Sequence, residues 1–270
     1  MAVDTVRLKE LQDNAKYYLN LMLDGHDEKN NAHEITVTSH DAAHCHHDLA
    51  ILAYLLDADA QSFYSHLYQG ASCRRYFLLK WLSGMSADAS YVSATVDAYL
   101  YDAIASGDEE LPVKISRPML YKKVDNLDSN ERFAFSILMR SLIDEQWSER
   151  LKKEYENIKS VVNKDDNRLK CVTSILAKDQ KKFQQAFHDL ISEREKEISS
   201  DLVDNEPDKY LFIEGLAILR VARQNDIHID FDSPQTPADL LGKMSTALPE
   251  SGYLQMSERE IAVLKKKLDG

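Results

Sequence analysis

A chain of 270 residues, 44% hydrophobic and 29% charged, has ordinary globular composition and enough apolar material for a large core. Its 33 Lys+Arg against 45 Asp+Glu leave a formal charge of −12, which disfavours contact with phosphate backbones and suits a basic protein partner, although acidity also serves solubility alone. Eight glycines and six prolines are too few for a turn-rich β fold, so the expectation is all-α: about ten helices in one compact domain over 1–270, or two packed halves joined near 107–130.

The first helix is expected over about Thr5–Leu23, with Leu8, Leu11, Ala15, Leu19 and Met22 on one stripe. "DGHDEKNNAHE" breaks it, and "ITVT" reads as a short extended piece. Thr38 or Ser39 then caps a helix to about Leu56, with Asp41 near its positive end. A third helix runs through Phe63, Leu67, Tyr76, Leu79 and Leu82, loosened in its middle by Gly70. "ADASYVSATVDAYLYDAIASGDEE" reads as a fourth that ends at Gly107. The stretch from Ser106 to Asn130 is irregular and either divides two halves or forms a functional loop.

Helices resume with Ser129 or Asn130 as cap and Phe133, Ile137, Leu138 and Leu142 inward. A polar, solvated helix follows. Next come a helix after Arg168, a tight break near Lys178-Asp179, and a helix with Phe183, Phe187, Leu190, Ile191 and Ile198 on its buried stripe. "DKYLFIEGLAILRVARQ" is apolar on nearly all sides and belongs in the middle of a fold. Its Glu214 lies on the one wet strip or pairs with Arg220 or Arg223. The chain then turns through Pro234 and Pro237, and a last amphipathic helix is expected over about Ser257–Leu268.

Cysteines at Cys45, Cys73 and Cys171 are an odd set, which implies a reducing compartment rather than a disulfide framework. The stretch "MAVDTVRLKELQDNAKYYL" has no apolar signal core and charges interrupt each long apolar run. No signal peptide or membrane span is therefore expected, and the cytoplasm is the expected location.

"HDAAHCHHDL" holds four of the nine histidines. On a helical wheel His40, His44 and His47 fall within about 60° of one another, opposite Leu49, Leu52, Ala53 and Leu56, whereas Cys45 and His46 turn toward the core. Three imidazoles beside Asp48 have the residue types of a zinc site if a carboxylate joins from elsewhere. The pattern lacks the glutamate of His-Glu-x-x-His, and the favoured reading is a wet or pH-sensitive contact face. Phosphate-binding loops, dinucleotide fingerprints and nucleophile elbows are missing from the sequence, so no cofactor is expected. An acidic helical chain of this kind reads as an interaction protein rather than an enzyme. A helical metal-dependent enzyme on the His40/His44/His47 face and a helical scaffold or regulator stand as the alternatives.

From Cys171 to Leu241 a helix, an Asp after a small loop and a Phe-containing amphipathic helix lead to an apolar helix with an internal Glu. "LAILRVA", "IHIDFDSP" and the turn "PADLL" follow. This run resembles immunity-protein family 49 of bacterial polymorphic toxin systems. Asn225-Asp226 stands where a glycine-containing turn is expected, and both residues tolerate a left-handed backbone. The resemblance implies a non-enzymatic cytosolic protein that binds and neutralises a cognate toxin encoded by an adjacent gene. Such a toxin is delivered by a contact-dependent or type VI secretion system or made by the cell itself, and the acidic surface here suits one that is a nuclease with a basic groove. Candidate toxin-binding residues are the acids of irregular segments: Asp108, Glu109 and Glu110; Asp125 and Asp128; and Asp201, Asp204, Glu206 and Asp208. Each cluster reads equally well as a solvated loop.

Overall fold

A computed structural model describes residues 4–24, 31–93, 95, 98–119 and 129–242. Among these residues the chain is all-α: eleven α-helices, two short 3₁₀ turns and no strand. The helices fall into two compact units, one formed by those within 4–119 and the other by those within 129–241.

In the first unit α1 (Thr5–Asp24) packs along α2 (Ala32–Asp57), and α2 packs along α3 (Ala60–Ser83). Helix α2 begins about two turns before the expected cap at Thr38 or Ser39. Asn31 and Glu34 form a capping box: the Asn31 side chain accepts from the Glu34 N–H at 3.1 Å and the Glu34 carboxylate from the Asn31 N–H at 3.1 Å. That start signal overrides the strand preference of "ITVT". Thr36 then satisfies its hydroxyl by donating to the Ala32 carbonyl at 2.7 Å. Asp41 consequently lies past the first turn, beyond the dipole's reach.

Helix α3 is continuous through Gly70, contrary to the expected loosening. A Cβ there would sit 3.0 Å from the Ala43 carbonyl oxygen and 3.2 Å from the His46 Cβ. At the glycine α2 and α3 approach closely, and a missing side chain lets two backbones meet. The expected fourth helix is divided into α4 (Ala89–Val92) and α5 (Ala98–Ala105). Between them the Ser93 and Thr95 hydroxyls bond each other at 3.0 Å, and Ser93 Oγ accepts from the Thr95 N–H at 3.3 Å. Such local bonds compete with the helical ladder. Part of the expected irregular stretch is helical: α6 (Leu111–Ser116) starts where Asp108 accepts from the Glu110 and Leu111 N–H groups, with Pro112 in its first turn.

In the second unit Ser129 caps α7 (Asn130–Ile143) by accepting from the Arg132 N–H at 3.1 Å. Polar α8 (Glu145–Ile158) buries only Leu151 fully and rests it with Trp147, Tyr155 and Ile158 on Phe133 and Ile137. Helix α9 (Asn167–Leu176) turns through Lys178, at φ +52°, into α10 (Gln180–Ser199), capped by Asp179. The stripe Phe183, Phe187, Leu190, Ile191 and Ile198 is buried throughout. Helix α11 (Ile213–Gln224) is buried from Gly215 to Ala222, the central helix its sequence implies. Beyond it Asp226 takes the left-handed backbone at φ +66°. The expected helix Ser257–Leu268 lies outside the described residues.

Because the α2–α3 contact has no room for a side chain at position 70, Gly70→Leu is expected to destabilise the chain by about 2–3 kcal/mol, despite leucine's better helix propensity. Urea unfolding of wild type and variant measures it. Equal midpoints at equal slope would show that the helices separate at no cost.

Candidate functional site

The histidine-rich stretch lies in the middle of α2, and its four imidazoles have separate surroundings. His47 Nδ1 lies 2.7 Å from a carboxylate oxygen of Asp102 on α5, and the Asp102 side chain is 0% exposed. His46 Nδ1 lies 3.0 Å from His66 Nδ1 on α3, so one neutral ring donates to the other. His40 has the rings of Tyr91 and Tyr99 edge-on at 5.9 Å and 5.6 Å, and the Tyr99 hydroxyl donates to the His40 carbonyl at 3.3 Å. Only His44 faces solvent, 3.8 Å from Asp48.

The face expected to be wet is therefore largely covered. His40, His44 and His47 do share one side of α2, but α5 brings Tyr99 and Asp102 against it. The helical wheel assigns faces from α2 alone and cannot anticipate an acid 55 residues away. The three rings address different partners rather than one point. Among the described residues no group of three or more His, Cys, Asp or Glu side chains converges as a metal-ligand set.

Burial, and then the nearby His66, hold the His46 pKa down at about 3. Burial and the charge of Lys16 lower His66, and burial with Arg74 lowers His40. Burial also raises the Cys45 thiol to about 11 and the Tyr99 hydroxyl above its usual value. These groups are poised to stay neutral near pH 7.

The acidic candidates separate into two described clusters, and Asp125 and Asp128 lie outside the described residues. Asp108 is spent on the turn into α6, accepting from the Glu110 and Leu111 N–H groups. Glu110 pairs with Lys114 at 2.6 Å on an open surface, and Glu109 is exposed beside it. In the second unit Asp201, at φ +54°, pairs with Lys209 at 2.6 Å. Asp208 accepts from the Asn205 amide at 3.2 Å, and its backbone carbonyl accepts from Arg194. Glu206 is half-buried, and Asp204 is exposed with no ion pair among the described residues.

Glu214 pairs with Arg168 of α9, not with Arg220 or Arg223: the Arg168 Nε–H donates to its carboxylate at 2.5 Å. The two side chains are 25% and 12% exposed. Arg220 and Arg223 donate instead to the carbonyls of Leu240 and Leu241, tying the chain end of this unit to α11. The Glu214 carboxylate holds Arg168 firmly protonated.

The second unit also carries a surface feature beyond the expected sites. Phe183 and Phe187 of α10 form, with His188, His228, Asp230 and Phe231, a surface groove of about 160 Å³. The signal was the alternation in "IHIDFD", which marks an extended segment able to stand against a helix. Compared with known protein families, curated proteins and solved structures, the chain matches none.

For His46 and His66 the folded pKa lies below the unfolded one, so from about pH 6.5 down to about 3 the unfolded chain binds protons the folded chain refuses. Stability is full above that window and falls as pH falls through it, by about 1 kcal/mol per pH unit. Thermal melts between pH 7 and pH 4 record the slope, and His46→Leu/His66→Leu is expected to flatten it. An unchanged slope would assign the acid sensitivity to other groups. Separately, Glu214→Gln leaves Arg168 charged without its carboxylate and is expected to cost about 2 kcal/mol in urea unfolding. A neutral outcome would mean that water replaces the carboxylate.

Proposed function

We propose that this chain is an immunity protein, binding and neutralising a cognate bacterial toxin one to one through its acidic surface. The observation that carries the proposal is the run Cys171–Leu241, whose residue pattern resembles immunity-protein family 49. That run builds most of the second unit. The Glu of its apolar helix anchors to Arg168, and the turn at Asn225-Asp226 adopts a left-handed conformation without glycine. The acidic charge favours a basic partner such as a nuclease of a contact-dependent or type VI secretion system acting in the cytoplasm.

The test uses the product of the adjacent gene, prepared as a catalytically inactive variant. Titration calorimetry is expected to give about nanomolar, equimolar binding. The affinity should weaken between about 0.1 M and about 1 M salt, as the Debye length shrinks from about 10 Å to about 3 Å. Co-expression with the active toxin should restore growth only at stoichiometric levels. Absence of binding at several temperatures would remove the proposal. Protection at far less than one equivalent would also remove it, because a stoichiometric inhibitor cannot turn over.

A further inference from the structure

Residues Ile227–Asp232 lie beside α10 and belong to no helix. Their exposure alternates: Ile227 is buried, His228 exposed, Ile229 half-buried, Asp230 exposed, Phe231 half-buried and Asp232 exposed. That period of two is the mark of an extended chain. The Gln180 side-chain amide donates to the His228 carbonyl at 2.6 Å and accepts from the His228 N–H at 2.8 Å. It thereby binds both backbone groups of one residue, as a neighbouring strand would. Among the described residues nothing similar serves the next three: Ile229, Asp230 and Phe231 make no hydrogen bond. A short extended edge, pinned at His228, is left open for another chain.

The groove adjoins this edge. Phe183 and Phe187 supply its buried aromatic floor, Phe231 stands at 87° to Phe187 with ring centroids 4.9 Å apart, and Asp230 sits among the lining residues. At about 160 Å³ it is well below the roughly 300 Å³ at which small-molecule sites begin, and close to the roughly 150 Å³ cavity that takes one benzene ring. It is sized for a single side chain. The Asp230 carboxylate is exposed and has no ion pair among the described residues, in a chain of charge −12, so the complementary side chain is cationic. Aromatic walls beside a carboxylate favour arginine over lysine. A planar guanidinium stacks on a ring while donating to the carboxylate, and it is more weakly hydrated than an ammonium.

We infer that a partner protein lays an extended segment along Ile229–Phe231 and places one arginine in this groove, stacked on the phenylalanines and paired with Asp230. The identification of that partner as the toxin rests on the immunity reading; the groove's preference for arginine in an extended segment does not.

Two blocked peptides probe the groove: acetyl-Thr-Val-Arg-Val-Thr-amide and the same peptide with Glu for Arg. Each is titrated into the full isotope-labelled chain and followed by amide NMR shifts. The arginine peptide is expected to give saturable shifts centred on His228–Phe231. The glutamate peptide, and the arginine peptide on Asp230→Asn, should bind at least about tenfold more weakly. Asp230 is exposed and makes no ion pair or hydrogen bond among the described residues, so the variant keeps the fold. Absent shifts, equal shifts from both peptides, or an unaffected Asp230→Asn would overturn the inference. The inactive toxin is then titrated into wild type, Asp230→Asn and Phe231→Ala. Tight binding to wild type with about tenfold loss in both variants supports the inference. Equal binding by all three overturns the groove as the toxin's site and leaves the immunity reading standing. No binding by wild type overturns the immunity reading, and the peptide titration alone then decides the groove.

Discussion

A helix enclosed on several sides has no water for its polar side chains, so each must bring a protein partner or lose about 1–3 kcal/mol. Helix α2 lives under that constraint with His46 and His47 both buried. His47 meets it through Asp102, an acid fully shielded from solvent, and His46 through His66. These pairings are directional, which apolar packing is not. A rotation of α2 by one residue would break both and bury unpartnered imidazoles and a carboxylate. The rotation of α2 and its register with α3 and α5 are fixed together. Gly70 completes the arrangement, because the His46–His66 approach occurs where α3 comes within touching distance of the Ala43 carbonyl.

In the second unit a central apolar helix is fixed by polar groups at its two ends. Near its start Glu214 meets Arg168, and toward its finish Arg220 and Arg223 hold the carbonyls of Leu240 and Leu241. Between them every residue from Gly215 to Ala222 is buried. Apolar burial supplies most of the stabilisation, while the three arginines decide which segments lie against α11. The segment 227–232 is placed as a consequence. It leaves α11 through Asp226, is caught at His228 by Gln180, and returns through the Ser233–Thr236 bridge to Leu240.

Much of this was legible in the residues. The 3.6-residue stripe of α10, the Ser129 cap, the break at Lys178-Asp179 and the buried character of α11 all follow from local pattern, since in each case neighbours along the chain carry the signal. The start of α2 departs from the strand that its β-branched residues suggest, because the capping box that decides the matter lies just upstream at Asn31 and Glu34. The split between α4 and α5 depended on hydroxyls of Ser93 and Thr95 competing with the ladder, a contest propensity does not resolve. For the histidines the failure was tertiary. Periodicity groups His40, His44 and His47 correctly, but whether that face meets water or Asp102 depends on how α5 packs. The partner of Glu214 was likewise hidden, being on another helix 46 residues away.

The same pairings change how the acidic charge is understood. A count of −12 treats each carboxylate alike, yet Glu110 is matched by Lys114, Asp201 by Lys209 and Asp226 by Lys178. Paired charges cancel beyond about a Debye length, so a distant basic partner feels mainly the acids left over, such as Asp204 and Asp230. In the proposed role these would set how fast the partner arrives, because surface charge acts on encounter. Holding it requires desolvated contact, since affinity differences among related complexes lie mostly in dissociation. Among the described acids of the clusters that stand out in the sequence, Asp108, Glu110 and Asp201 already have partners within the chain. The groove at Phe183, Phe187 and Phe231 has attributes suited to desolvated contact: apolar walls, an extended backbone edge and a carboxylate with no counter-ion among the described residues. Binding energy in interfaces concentrates in such places, so the division expected of this chain is steering by scattered acids and retention by a few aromatic residues of the second unit.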